Sequence, residues 1–174
     1  QSHSNDFDHF IERRSSDSIK WRRYDPDVLP LWIADMDFRC PEVVLQALKS
    51  RVEHGVFGYP MEADPDLISL VVQRMWSRYQ WKISPEDVFL VPGVVSAINL
   101  CCQAIGKPGE GVVVQTPVYP PILNCPQLAE MVRQGNELIV HGCGRYVVDY
   151  DAFEKCITPK TRLFILCNPH NPVG

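Results

Sequence analysis

No apolar run in this 174-residue chain approaches the ~20 residues that a membrane-spanning helix requires, so no transmembrane segment is expected. The stretch from Gln1 to Arg14 is polar and lacks the apolar core of a secretory signal. Basic patches are also lacking. The net charge is −4, lysine and arginine are scattered, and the only dense basic clusters are Arg13-Arg14 and Lys20 to Arg23. Both read as solvated faces, and nucleic-acid binding is not expected. There is no C-x-x-C pair. Cys167 and His170 have the spacing of half a zinc site, but no second pair completes it, so no metal is expected. Seven cysteines, an odd number lying mostly within apolar runs, fit reduced, buried thiols in a cytoplasmic protein. Internal repeats and low-complexity tracts are absent.

What the sequence does contain is core-forming material. Hydrophobic residues make up 45% of the chain, which argues against disorder. Residues 1–30 read as an irregular arm punctuated by Pro26 and Pro30. Pro41 then opens a helix in which Val43, Val44, Ala47, Leu48 and Val52 recur at helical spacing, with Gly55 placed as its cap. A second helix is expected over 64–80, with Asp64 as N-cap, Pro65 as first residue and a stripe of Leu67, Ile68, Val71, Val72, Met75 and Trp76. That stripe is assigned to core packing.

From Asp87 the rhythm changes. Short apolar runs at 88–91, 112–114, 138–140 and 162–166 read as strands. They alternate with helices expected over 94–105 and 120–134, and a short strand at 146–148 precedes a helical turn at 151–156. Strands apolar on both faces, alternating with helices, indicate an α/β fold with a mainly parallel sheet and helices on both faces. Ligands of such sheets collect at the carboxyl ends of the strands.

Three strand-to-loop junctions carry candidate chemistry. At Val91-Pro92-Gly93-Val94-Val95-Ser96 a strand stops, glycine permits a tight turn and a helix begins, leaving free amides suited to an anion such as phosphate. At Gln115-Thr116-Pro117-Val118-Tyr119-Pro120-Pro121 an aromatic stands in a proline-stiffened loop, where it can stack on a planar ligand or pack against the sheet edge. At Asn168-Pro169-His170-Asn171-Pro172-Val173-Gly174 two Asn-Pro steps suggest fixed backbone geometry, and Asn171 offers an amide donor.

Taken in order, residues 30–38 (Pro-Leu-Trp-Ile-Ala-Asp-Met-Asp-Phe), 55–60 (Gly-Val-Phe-Gly-Tyr-Pro), 92–98, 115–120 and 168–174 resemble the class I/II pyridoxal-phosphate enzymes of the aspartate-aminotransferase fold (fold type I). Within that family the pattern is similar to the carbon–sulfur lyase branch of cystathionine β-lyases. The resemblance runs from about residue 20 to Gly174. It implies that the amides of Val94 and Val95 bind the cofactor phosphate, that Tyr119 stacks on its ring, and that Asn171 bonds the ring oxygen. It also implies that Tyr59 crosses a homodimer interface to the partner's phosphate, giving shared active sites. Trp32 and the backbone at Ala34 would edge the amino-acid substrate, and Thr116-Pro117 and Asn171-Pro172 would be cis. Residues 1–47 would be the N-terminal segment of a small domain and 48–174 the first half of a large cofactor-binding domain.

Two departures qualify what the resemblance implies. None of Lys20, Lys49, Lys82, Lys107, Lys155 and Lys160 sits in the family's Ser-x-x-Lys setting, so the Schiff-base lysine is expected beyond Gly174, in a C-terminal part of the same protein. No catalytic residue is assigned within this chain, and the chain alone is expected to be inactive. Pro120 also stands where lyases of this branch often carry a polar or aromatic residue, which bears on substrate choice. The implied activity is cleavage of cystathionine or a related cysteine conjugate to pyruvate, ammonia and a thiol. An aminotransferase of the same fold and a non-catalytic binding relic are the alternatives.

Overall fold

Proline or glycine stands at several element boundaries, among them Pro41, Gly55, Pro65, Gly93 and Gly106. The structure is a computed structural model that describes residues 7–59 and 64–174, and the chain divides into two compact units, Gln1–Glu62 and Ala63–Gly174. In the first unit, α1 (Ile19–Arg22) is a single turn within the arm. Helix α2 (Glu42–His54) follows Pro41, and Gly55 ends it at φ 75°, donating its N–H to the Val52 carbonyl at 3.0 Å. Left-handed backbone of this kind costs glycine nothing. The expected domain boundary at 47/48 falls inside α2.

Arg14, Arg22 and Arg23 are exposed, as solvated clusters would be, but Arg13 and Lys20 are fastened. Arg13 donates to Asp35 at 2.8 Å and to Asp37 at 2.6 Å, and Lys20 reaches Asp37 at 2.6 Å. The indole N–H of Trp21 donates to the same carboxylate at 2.7 Å, and Lys20 also donates to the Asp35 carbonyl at 2.5 Å. Sequence alone does not reveal this, because the acids lie 15 or more residues from the cations in chain order. The hydrogen bonds from Lys20 and then Trp21 hold the Asp37 carboxyl down at about 2.

In the second unit, α3 (Pro65–Tyr79) starts as expected: the Asp64 carboxylate accepts from the Asp66 amide at 3.0 Å. Its stripe does not form core, however. Ile68, Val71, Val72 and Met75 are half-buried, while Leu67 and Trp76 are exposed. Helical periodicity identifies an apolar face without saying what covers it. The run at 88–91 is extended but has no ladder partner among the described residues, so the expected strand there does not form. Phe89, Leu90 and Val91 are exposed.

The core is organised by one strand. β1 (Gly111–Thr116) lies between β2 (Val132–Glu137) and β5 (Thr161–Ile165), parallel to both. Its five residues from Gly111 to Gln115 are buried. Val112 and Val114 pack with Cys102, Val118, Ile122, Cys125 and Met131 under α4 (Val94–Ile105) and α5 (Pro120–Leu128). On the opposite face, Phe153 of α6 (Tyr150–Cys156) meets Phe164 of β5 edge to face at 5.0 Å. β3 (Ile139–His141) and β4 (Arg145–Val147) form a separate antiparallel pair. This is the α/β architecture expected, with helices on both faces of a parallel sheet.

Two boundaries differ from expectation in the segment after Tyr119. The helix expected over 120–134 ends at Leu128, where Pro126 and a left-handed Glu130 (φ 55°) turn the chain. Residues 132–137 then form β2, an edge strand too polar to be read from hydrophobic pattern. Of the cysteines, Cys102 and Cys125 are buried, Cys156 and Cys167 are half-buried, and Cys40, Cys101 and Cys143 are exposed, so the expectation of mostly buried thiols is only partly met.

The arm clamp can be tested by pH and by proteolysis. Asp37 titrates below its ordinary 3.8 when the clamp is formed. Its contribution is therefore complete above that value and lost as pH falls toward 2. Substituting Asp37→Asn should raise the rate of tryptic cleavage at Arg13 and Arg14 a few-fold at neutral pH, read by mass spectrometry of the released arm. Wild-type protein should show the same acceleration only under strongly acidic conditions, read by an acid-active protease.

Candidate active site

Parallel neighbours end on the same side of a sheet, so the loops that follow them meet. β1 delivers residues 117–119 and β5 delivers 166–174 to one edge. There the Tyr119 N–H donates to the Asn171 carbonyl at 2.9 Å, and the His170 Nε2 lies 2.8 Å from the Pro117 carbonyl. The structure thus brings two expected site residues, Tyr119 and Asn171, side by side through their backbones. Beneath them Val118 is buried in the core, and Cys167 packs against the same cluster. The Asn171 N–H donates to the Cys167 sulfur at 3.4 Å. The peptides Thr116-Pro117 and Asn171-Pro172 are cis, as expected, and so is Asn168-Pro169.

The exposed groups of these loops are the ones with chemistry to offer. The Tyr119 ring is half-exposed and Asn171 is exposed, its side-chain amide without a partner among the described residues. A flat ring and an amide donor held on adjacent loops suit a planar heterocycle bearing an oxygen.

The third junction lies at the start of α4. The short 106–110 connection joins α4 to β1, so the helix runs against the strand and its N-terminus returns to the carboxyl side of the sheet. Gly93 is the N-cap at φ 95° and ψ 158°, a combination open essentially only to glycine. No side chain caps this end, and the first helical bond is made by Ala97, which donates to the Gly93 carbonyl at 3.1 Å. The amides of Val94 and Val95 are thereby left outside the helical ladder on exposed residues, as an anion site requires. Their side chains need no particular chemistry. The donor set of amides, ring and carboxamide fits a phosphorylated pyridine.

Trp32, Ala34 and Tyr59 belong to the first unit and are described within it. Trp32 is held edge to face against Tyr24 at 6.2 Å, with the Arg23 guanidinium 5.0 Å from its ring. Ala34 is exposed and sits in the turn closed by the Asp35 N–H and Ile33 carbonyl at 2.9 Å. Tyr59 is fully exposed, at 104% of its reference area. Pro60, the last residue of its motif, lies outside the described residues.

Sequence reading passed over His170, considered only as half a metal pair, and the buried amides Gln115 and Asn136. Those two stand opposite each other in the β1–β2 ladder, and Gln115 Nε2 donates to Asn136 Oδ1 at 3.2 Å. Asn136 Nδ2 is buried without a partner among the described residues. The available signal for His170 was its place between two prolines directly after a strand. Among the described residues no group of three or more His, Cys, Asp or Glu is gathered to hold a metal, and no helix is long and apolar enough to cross a membrane.

The sequence profile of the family "aminotransferase class I and II" matches residues 26–174. Cystathionine β-lyase PatB of Bacillus subtilis (strain 168) is 41% identical over 179 residues, covering 97% of this chain and 44% of the relative. The crystal structure of OvoB superposes with a TM-score of 0.86 at 42% identity, covering 97% of this chain and 44% of that one. Cystalysin from Treponema denticola, whose crystal structure contains pyridoxal 5'-phosphate, gives a TM-score of 0.87 at 31% identity, covering 98% and 45%. The chain therefore spans about 44% of the length of the curated relative it matches.

The glycine at the anion turn provides a direct test. Nothing lies within 4 Å of a Cβ built on Gly93, so Gly93→Ala meets no steric clash, only a backbone conformation alanine avoids. The variant should lose roughly 1–3 kcal/mol of stability in chemical denaturation, or rotate its turn and lose affinity for inorganic phosphate and phosphorylated pyridines.

Proposed function

The chain belongs to the class I and II aminotransferase family, and from that premise we propose that it is the N-terminal part of a pyridoxal-phosphate carbon–sulfur β-lyase acting on cystathionine or a related cysteine conjugate. The observation that carries this reading is the backbone bond between Tyr119 and Asn171, which sets an aromatic ring and an amide donor on one edge beside the uncapped turn of α4. The names of the similar proteins, cystathionine β-lyase PatB among them, support the lyase branch.

In this reading the amides of Val94 and Val95 hold the cofactor phosphate, assisted by the helix dipole. Tyr119 covers one face of the pyridine ring and excludes water from it. Asn171 donates to the ring oxygen and favours its anionic form. Bound pyridoxal phosphate supplies an electron sink for charge developing at the substrate α-carbon. Trp32 and the backbone of Ala34 border the amino-acid substrate. In this reading the lysine that bears the cofactor lies in the part of the protein that this chain, spanning 44% of its relative, does not cover.

The domain assignment goes with this reading: 1–47 in the small domain and 48–174 in the large one. A homodimer with shared sites is supported by Tyr59, which is fully exposed. Seven unpaired cysteines support a cytoplasmic setting.

The assay is product analysis of the full-length protein with L-cystathionine. Release of pyruvate, ammonia and thiol in equal amounts is the expected result. A keto acid retaining the sulfur chain, with conversion of the cofactor to its amine, would identify an aminotransferase. No turnover and no bound cofactor would leave a non-catalytic member of the fold. In the active protein, Tyr119→Ala should weaken pyridoxal-phosphate binding about tenfold, the scale of one lost stacking contact, as read by fluorescence titration.

A further inference from the structure

We propose that His170 is a positioning residue that locks the Tyr119 loop to the Asn171 loop, so that ring and amide are presented in one fixed relation. The proposal rests on the reading above that these loops hold pyridoxal phosphate, and it assigns a role to a side chain which that reading leaves idle.

The argument begins with the atoms. His170 Nε2 stands 2.8 Å from the Pro117 carbonyl oxygen. A carbonyl only accepts, so Nε2 must carry the hydrogen. The imidazole is half-buried, and its own carbonyl accepts from the Gly174 N–H at 2.6 Å. The ring is thus held from its backbone and from its tip.

A second cross-link lies two residues further along the first loop and one further along the second. The Tyr119 N–H donates to the Asn171 carbonyl at 2.9 Å. One hydrogen bond between two loops is a pivot about which they can turn. Two bonds, at Pro117 and at Tyr119, define an orientation. The strands below cannot supply this constraint, because the described β1–β5 ladder reaches only Val114 and Ile165. Above that level the two loops are joined by the His170 and Tyr119 bonds, and their footing is Val118 and Cys167 at the core.

Removing the imidazole should therefore leave both cofactor-facing groups present but loosely related, weakening binding and altering the electronic setting of the ring oxygen. The side chain acts through Pro117 and Asn171, not by touching substrate or cofactor.

The test compares His170→Leu with His170→Gln in the full-length protein, since the Nε2 of glutamine can donate to the same carbonyl. Three readouts are taken: amide exchange at Tyr119 without cofactor, the dissociation constant for pyridoxal phosphate, and the maximum and pH midpoint of the visible band of the bound cofactor. Leucine should speed exchange at Tyr119 and raise the dissociation constant by about tenfold each, the scale of one hydrogen bond, and should move the visible band or its midpoint. Glutamine should restore most of all three. Unchanged exchange and affinity in the leucine variant would overturn the proposal, as would a glutamine variant that folds but behaves like leucine. If the full-length protein binds no pyridoxal phosphate, the cofactor reading fails, while exchange at Tyr119 still decides whether His170 locks the loops.

Discussion

Everything that positions the candidate site depends on β1 being paired in parallel on both edges and covered on both faces. A strand so enclosed can be apolar throughout, and Val112, Val113 and Val114 are each almost completely removed from water. Parallel pairing then has a geometric consequence that antiparallel pairing lacks. The exits of β1 and β5 lie side by side, so segments about 50 residues apart in sequence meet as neighbouring loops. The 2.9 Å bond between Tyr119 and Asn171 expresses that constraint at the surface.

The groups assigned to the cofactor divide into two kinds. At α4 the donors are backbone amides, and their direction is set by the φ and ψ of Gly93. The valine side chains that follow are incidental. At the two sheet loops the donors and ring are side chains, and their direction depends on how loop meets loop. On the proposed reading, the turn before α4 tolerates change at Val94 and Val95 but not at Gly93, whose φ and ψ suit glycine. The Tyr119 and Asn171 loops tolerate little, because ring, carboxamide and imidazole each need a particular backbone beneath them.

What could be read from the sequence follows the same division. Boundaries set by a single residue's backbone chemistry were legible: Asp64 and Pro65 opening α3, Gly55 closing α2, and Gly93 turning into α4. So was β1, whose consecutive valines leave little alternative. The reading failed where tertiary pairing decides. β2 is polar because it is an edge, so it lacks the pattern that marks a buried strand, and the helix before it was extended through it. Residues 88–91 have the pattern but no ladder. The α3 stripe is periodic yet half-exposed. The Arg13–Asp37–Lys20 clamp joins charges that periodicity cannot associate, and it takes one cation from each basic cluster to fasten the arm while Arg14, Arg22 and Arg23 stay exposed.

The site itself was legible as three separate loops rather than as an arrangement. The family resemblance pointed to Val94, Val95, Tyr119 and Asn171 as candidates and to the cis peptides found at Pro117 and Pro172, but not to the bond that unites two of those loops. His170 shows why. As a residue type after Cys167 at ligand spacing, it suggested half a metal pair. In the fold, the Cys167 sulfur accepts from the Asn171 amide while the imidazole turns to Pro117, so the two side chains serve different neighbours. Spacing along a strand-to-loop junction does not translate into proximity when successive prolines redirect the chain. At this edge of the sheet the prolines take away backbone donors at 117, 169 and 172. Cross-loop bonding must then come from the few remaining amides and from side chains, and this raises His170 from a bystander to a structural donor.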